Sequence, residues 1–166
     1  MAELTNLEAK LGEVLGLARA AQVATEKVQK LAESEDEQDL VRGLEQMRRE
    51  AAETEERCLT VSSGFDGKKT AIEDEAGTVK SKAAEMMKTY LDKDSDALDG
   101  FEFLTMAEAA EVGHWSVLQA MSQRASHREV SELVEWALPI QQRHFSSVMD
   151  ASKTLAANED PNEVSS

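Results

Sequence analysis

Glu111 and His114 stand three residues apart in the segment AEVGHWSVLQ, in a chain with only three histidines. On a helix, residues three apart share a face. A Glu-x-x-His step is also the ligand spacing of di-metal sites in helical bundles. Glu108 lies one turn earlier on the same pattern. His144 stands farther along with Gln141 one turn before it, which repeats the step with an amide where the carboxylate should be. Carboxylates at these positions would bridge two cations, and imidazoles would complete the coordination. Without a metal, the same residues form hydrogen-bonded Glu–His pairs, because a buried charge is costly unless it is paired.

The elements that must position these residues are helical. Ala, Glu, Leu, Gln, Lys and Met dominate, and strand-type runs of Val, Ile, Thr and Tyr are missing. A first helix is expected from about Leu4 to Glu33, with Leu4, Leu7, Leu11, Val14, Ala18, Ala21, Thr25 and Val28 on one stripe. Thr5 or Asn6 would cap it. A second runs from about Asp36 to Val61, on Leu40, Leu44, Met47, Ala51, Thr54, Cys58 and Val61, and forms a hairpin with the first. The stretch SSGFDGKK then stops it. Residues 69–92 are less regular and contain Gly77, so one or two short helices crossing the bundle are expected.

Two long patterns follow. The third, from about Asp96 to Arg124, places Phe101, Leu104, Glu108, Glu111, Trp115 and Leu118 on its stripe. Asp94 or Ser95 is its candidate cap. The fourth, from about Ser126 to Ala157, carries Val130, Leu133, Ala137, Ile140, His144, Val148, Ala151 and Leu155. Ser126 with Glu129 fits a capping box, and Pro139 predicts a kink near residues 135–139. Two hairpins joined by a long crossover give an all-α, antiparallel four-helix bundle with ferritin-like connectivity over residues 1–157, followed by an acidic, disordered tail at 158–166.

Composition limits the function classes. The formal net charge of −15 repels nucleic-acid phosphates and anionic membranes, so neither is an expected partner. A single cysteine, Cys58, excludes an internal disulfide and a Cys/His zinc framework. A Gly-rich phosphate loop and a Gly-x-Ser-x-Gly elbow are missing. The start of the chain lacks the runs of a signal peptide and no apolar run spans a bilayer, so a cytoplasmic location is expected. The edges of narrow stripes on long helices leave apolar surface, which suggests a homodimer or a protein partner held through Trp115, Trp136 or the Met86–Met87 pair.

Several stretches together resemble the ferritin-like superfamily, and within it the bacterial stress-associated ferritin-like proteins of the YciE/YciF type. They are Glu53-Thr54-Glu55-Glu56 at the end of the first hairpin, Gly67-Lys68-Lys69 with Ala71 opening the crossover, Asp96-Ala97-Leu98-Asp99, and His114-Trp115 where the family usually has His-Tyr. The similarity covers residues 36–157. It implies a four-helix bundle with extra short helices, a dimer, and di-iron or other di-metal binding. This sequence departs from the family at Gly113 and Ser116, which flank the histidine, at Pro139-Ile140-Gln141, and in lacking a histidine on the second helix.

Three functions follow. The first is a ferritin-like bundle with a degenerate or absent di-metal site and no bound cofactor, acting as a stress-related binding or structural protein. The second is an iron or manganese protein of ferroxidase type, with Glu108, Glu111, His114 and His144 as ligands and Glu53 as the ligand from the second helix. The third is a helical module that binds another protein.

Overall fold

The computed structural model describes residues 2–165. Those residues form five helices and no strand: α1 (Asn6–Ser34), α2 (Gln38–Ser62), α3 (Lys69–Tyr90), α4 (Ala97–Ala125) and α5 (Arg128–Ala156). None is long and apolar enough to cross a membrane among the described residues. Residues 158–165 are exposed and form turns, and Ser166 lies outside the described residues.

The helix starts are set by local chemistry. Thr5 caps α1 in a reciprocal capping box with Glu8. The start of α4 belongs to Asp96, which pairs with Asp99 in the same way, and not to Asp94 or Ser95. The expected Ser126–Glu129 box does not form. Ser126 ends α4 in the left-handed region at φ 53°, and His127 caps α5 by accepting the Val130 N–H at Nδ1. The tight turn between α4 and α5 takes Ser126 for its own bend, so the cap falls one residue later.

The crossover is one unbroken helix of 22 residues rather than one or two short ones. Gly77 has open space around it, so it interrupts no packing, and its cost is only that of a helical glycine. α5 likewise continues through Pro139. α3 climbs beside α1 in the same direction. Gly12 faces Ile72 and Glu75, and Gly16 faces Ala76 and Val79. A Cβ at Gly16 would sit 2.5 Å from the Ala76 carbonyl oxygen, so the close approach of α3 depends on the bare backbone there.

The other helices alternate. α2 runs antiparallel to α1. α4 also runs antiparallel to α1, with Gly100 beside Val28 and His114 beside Glu13. α5 runs antiparallel to α2, with Trp136 under the Arg57 guanidinium at 4.0 Å and His144 beside Glu50. α1, α2, α4 and α5 therefore enclose the core, and α3 covers the outer side of α1.

The core divides into two apolar clusters. One holds Val28, Leu44, Met47, Phe101, Leu104, Val148 and Leu155. The other holds Leu11, Leu15, Cys58, Ile72, Trp115, Leu118 and Val130. Between them, at the level of residues 108–111 and 141–144, lies a polar layer.

Candidate functional site

The polar layer is built by helical spacing. On α4, Glu108 and Glu111 lie between Leu104 and Trp115 on one inward stripe, and both are buried. On α5, Gln141 and His144 lie between Ala137 and Val148 and are buried too. Ile140, expected on that stripe, is only half-buried. The inward register passes through Gln141, four residues after Ala137 and three before His144.

α2 contributes Glu50, which sequence reasoning missed. His144 Nε2 lies 2.7 Å from Glu50 Oε2, Gln46 Nε2 donates to Glu50 Oε1 at 2.7 Å, and Arg143 pairs with the same carboxylate. Glu50 follows Met47 by three residues and precedes Thr54 by four, so it lies at the edge of the buried stripe. That position was the available signal. Glu53 turns outward instead and pairs with Arg57 at 2.9 Å, with half of its side chain exposed.

Gln141 joins the two carboxyl groups of α4. With its amide oriented by the hydrogen bonds it can satisfy, its nitrogen donates to Glu111 Oε2 at 2.5 Å and to Glu108 Oε2 at 3.2 Å. His144 Nδ1 faces Glu108 Oε2 at 3.8 Å, beyond hydrogen-bond reach. The layer thus reads Glu111–Gln141–Glu108, then His144–Glu50–Arg143.

His114 is not part of it. Its ring is 41% exposed and lies 3.1 Å from Glu13 Oε2 and 3.3 Å from Lys10 Nζ on α1. Trp115 takes the buried place. Sharing a helical face with Glu111 was therefore insufficient: Glu111 points into the core and His114 stands at its rim. Of the five residues expected as ligands, the fold brings together Glu108, Glu111 and His144, and leaves out His114 and Glu53. Among the described residues, no group of three or more His, Cys, Asp or Glu side chains is arranged to hold one metal ion.

The electrostatics follow from burial. Desolvation pushes the Glu108 carboxyl up to about 8, partly offset by its hydrogen bond with Glu111. Glu111 is raised well above the carboxylate range by desolvation, then by the Glu108 charge and hydrogen bond. Desolvation also disfavours the Glu50 carboxylate, but Gln46, His144 and Arg143 together outweigh it and hold Glu50 below its usual value. Burial lowers His144 despite the opposing pull of Glu50. At neutral pH the layer therefore holds protonated carboxyls on α4, a neutral imidazole on α5 and a carboxylate on α2. Cys58, fully buried beneath the layer, is pushed far up, chiefly by desolvation, which disfavours its thiolate.

α1 gives this level no inward carboxylate. Ala18 and Thr25 are buried on α1, Ala21 lines a groove together with Glu108 and Glu111, and the Thr25 hydroxyl donates to its own helix at the Ala21 carbonyl. Two grooves flank the layer. A groove of about 230 Å³ between α2 and α5 reaches Glu50, Arg143 and His144. A second, of about 200 Å³ and almost wholly apolar, lies between α1, α3 and α4 and includes Glu108 and Glu111 in its wall. Comparison of the chain with protein-family models, with curated proteins and with solved structures gives no match.

Proposed function

We propose that this chain is a ferritin-like helical-bundle protein whose di-metal centre has degenerated into a metal-free hydrogen-bonded layer, and that it acts by binding rather than by metal-dependent oxidation. The observation that carries this reading is Gln141. It sits where a Glu-x-x-His step would present its carboxylate, and its amide donates to both remaining glutamates. An amide donor there meets the carboxyl oxygens that would otherwise face a cation. A cation at the same place would need a third acceptor instead. The crossover between two antiparallel hairpins supports the ferritin-like part of the proposal, as do the stretches from Glu53 to Trp115 that resemble the stress-associated family.

The test uses protein purified without a metal-affinity tag. Elemental analysis is expected to give far less than one iron or manganese per chain, and titration with iron(II) or manganese(II) is expected to leave the melting temperature unchanged. Near-stoichiometric metal, or a rise of several degrees on titration, would overturn the reading in favour of a ferroxidase-type centre on Glu50, Glu108, Glu111 and His144. Gln141→Glu returns the missing carboxylate and is expected to gain manganese(II) binding. If neither protein responds to metal, the metal-free layer stands and its link to di-metal bundles falls.

A further inference from the structure

The outward face of α4 carries no charge along most of its length. Glu102 near its start and Arg124 near its end are exposed. Every exposed residue between them is uncharged, in a chain of which 31% is charged. The two acids of that stretch, Glu108 and Glu111, are turned into the core. The exposed side of α2, by contrast, carries Arg42, Arg49, Glu53 and Glu56. On α4, Met106, Ala109, Gly113, Val117 and Ala120 follow one another at steps of three and four, opposite the buried stripe of Leu104, Glu111, Trp115 and Leu118. Met106 and Val117 are 37% and 43% exposed, so apolar surface is left open there.

Gly113 stands at the middle of this face. A glycine inside a helix is destabilising relative to alanine, and a Cβ at Gly113 would meet nothing within 4 Å. Its own chain gives no packing reason for a bare backbone there, unlike at Gly12, Gly16 and Gly100, which lie against neighbouring helices. The residues on either side of Gly113 match in pairs. Glu102 and Arg124 lie eleven positions away from it, Met106 and Ala120 seven, Ala109 and Val117 four. An acid is matched by a base, and each larger apolar side chain by a smaller one. Arg42, Arg57 and Arg128 pair with acids on their own helices. Among the described residues Glu102 and Arg124 form no ion pair.

We propose that two copies of this chain pair through this face, with their α4 helices antiparallel about a two-fold axis at Gly113. A two-fold interface must be complementary to itself, and the matched pairs make this face so. The symmetry sets Glu102 of each copy beside Arg124 of the other, and Met106 and Val117 of each beside Ala120 and Ala109 of the other. A parallel pairing would set Glu102 against Glu102. At Gly113 the two backbones approach most closely, which gives the glycine its use. Two chains of net charge −15 repel each other, and an uncharged face is where they meet at least cost. The two exposed ion pairs add little affinity and mainly fix the direction of pairing. From Glu102 to Arg124 the face is about 33 Å long. One helix pair of that length buries less than the ~800 Å² per partner of a standard interface, so the dimer is a reversible one with a dissociation constant in the micromolar range. The pairing uses no residue of the polar layer and does not depend on whether that layer holds metal.

The experiment is sedimentation equilibrium of the full chain over a range of concentrations. The unaltered chain is expected to pass from monomer to dimer as its concentration rises. Gly113→Arg puts two cations on the axis and is expected to leave monomer alone at every concentration. That position is exposed and open, so the variant is expected to keep the helicity and melting temperature of the unaltered monomer. Glu102→Arg alone, or Arg124→Glu alone, sets like charges opposite each other at both ends of the face. Each is expected to weaken the dimer about tenfold. The two together exchange the charges and are expected to restore it. A chain that stays monomeric at every concentration, or a dimer that persists in Gly113→Arg, would overturn the proposal. So would single reversals that leave the dimer unchanged, or a double exchange that fails to restore it, because the copies would then not be antiparallel about Gly113.

Discussion

Glu50 and Glu108 both stand beside the His144 ring, one at Nε2 and the other at Nδ1, and their surroundings shift them in opposite directions from the ordinary carboxyl value. Glu50 lies at the edge of the bundle, 2.7 Å from Nε2, with Gln46 and Arg143 completing its shell. Three donors outweigh the cost of partial burial, and the group stays ionised. Glu108 is 3.8 Å from Nδ1, inside the core, with another acid and one amide for company. No cation offsets its burial, so it keeps its proton. The two carboxyls are chemically identical. The number of donors and the depth of burial set their charge.

That contrast can be broken by removing the acidic side of the layer altogether. Replacing Glu108, Glu111 and Gln141 together by Leu would fuse the two apolar clusters. It is expected to raise stability by about 1–4 kcal/mol in chemical denaturation, as for other buried polar networks exchanged for packed apolar groups. A loss of stability would mean that the layer contributes packing or bonds that leucine cannot replace. On the opposite side, His144→Ala leaves Glu50 without its imidazole and opens a cavity. It is expected to cost about 1–3 kcal/mol. If His144→Ala is neutral, the Glu50–His144 pair is only a contact and the contrast between the two sides disappears.

A subtler measurement sharpens the comparison through pH. Because Glu108 and Glu111 are raised above their ordinary value of 4.5, the folded chain holds more protons than the unfolded one. Their contribution is full below about pH 4.5 and is lost as the pH rises through about 8 for Glu108. His144 is lowered from 6.5 and acts in the opposite sense, but only below that value. Between pH 6.5 and 8 the acid pair is therefore alone among these shifts, and the melting temperature is expected to fall. Glu108→Gln with Glu111→Gln should flatten that slope, and an unchanged slope in the double variant would refute the protonated pair. The smallest effect is expected from His114→Ala and Glu53→Ala, each within about 0.5 kcal/mol in the same denaturation assay. A larger loss from either would show that the layer extends to the surface.

Much of this architecture is legible in residue spacing, because a 3.6-residue period reports which face is buried without knowing the partner. The stripes of the four long helices place Leu11, Leu44, Phe101, Trp115 and Val148 inside, and the structure buries each of them. The same spacing marks Glu108, Glu111 and His144 as polar residues in apolar places. It misjudges the crossover because Gly77 counts against a helix in sequence, although at an open position it costs only a local entropy. The Gly12-x-x-x-Gly16 step was a readable sign of close helix contact, and α3 makes that contact.

The sequence by itself determined the all-helical class, the inward faces and the presence of uncompensated acids among them, since these depend on local propensity and period alone. Only the tertiary structure decided that Glu50 rather than Glu53 meets His144, that His114 looks outward to Glu13, and that α3 leaves a groove beside Glu108 and Glu111. Side chains at the edge of a stripe differ in direction by a fraction of a helical turn. Which of them is buried depends on the neighbouring helix and how closely it packs, and one helix's spacing carries no record of that.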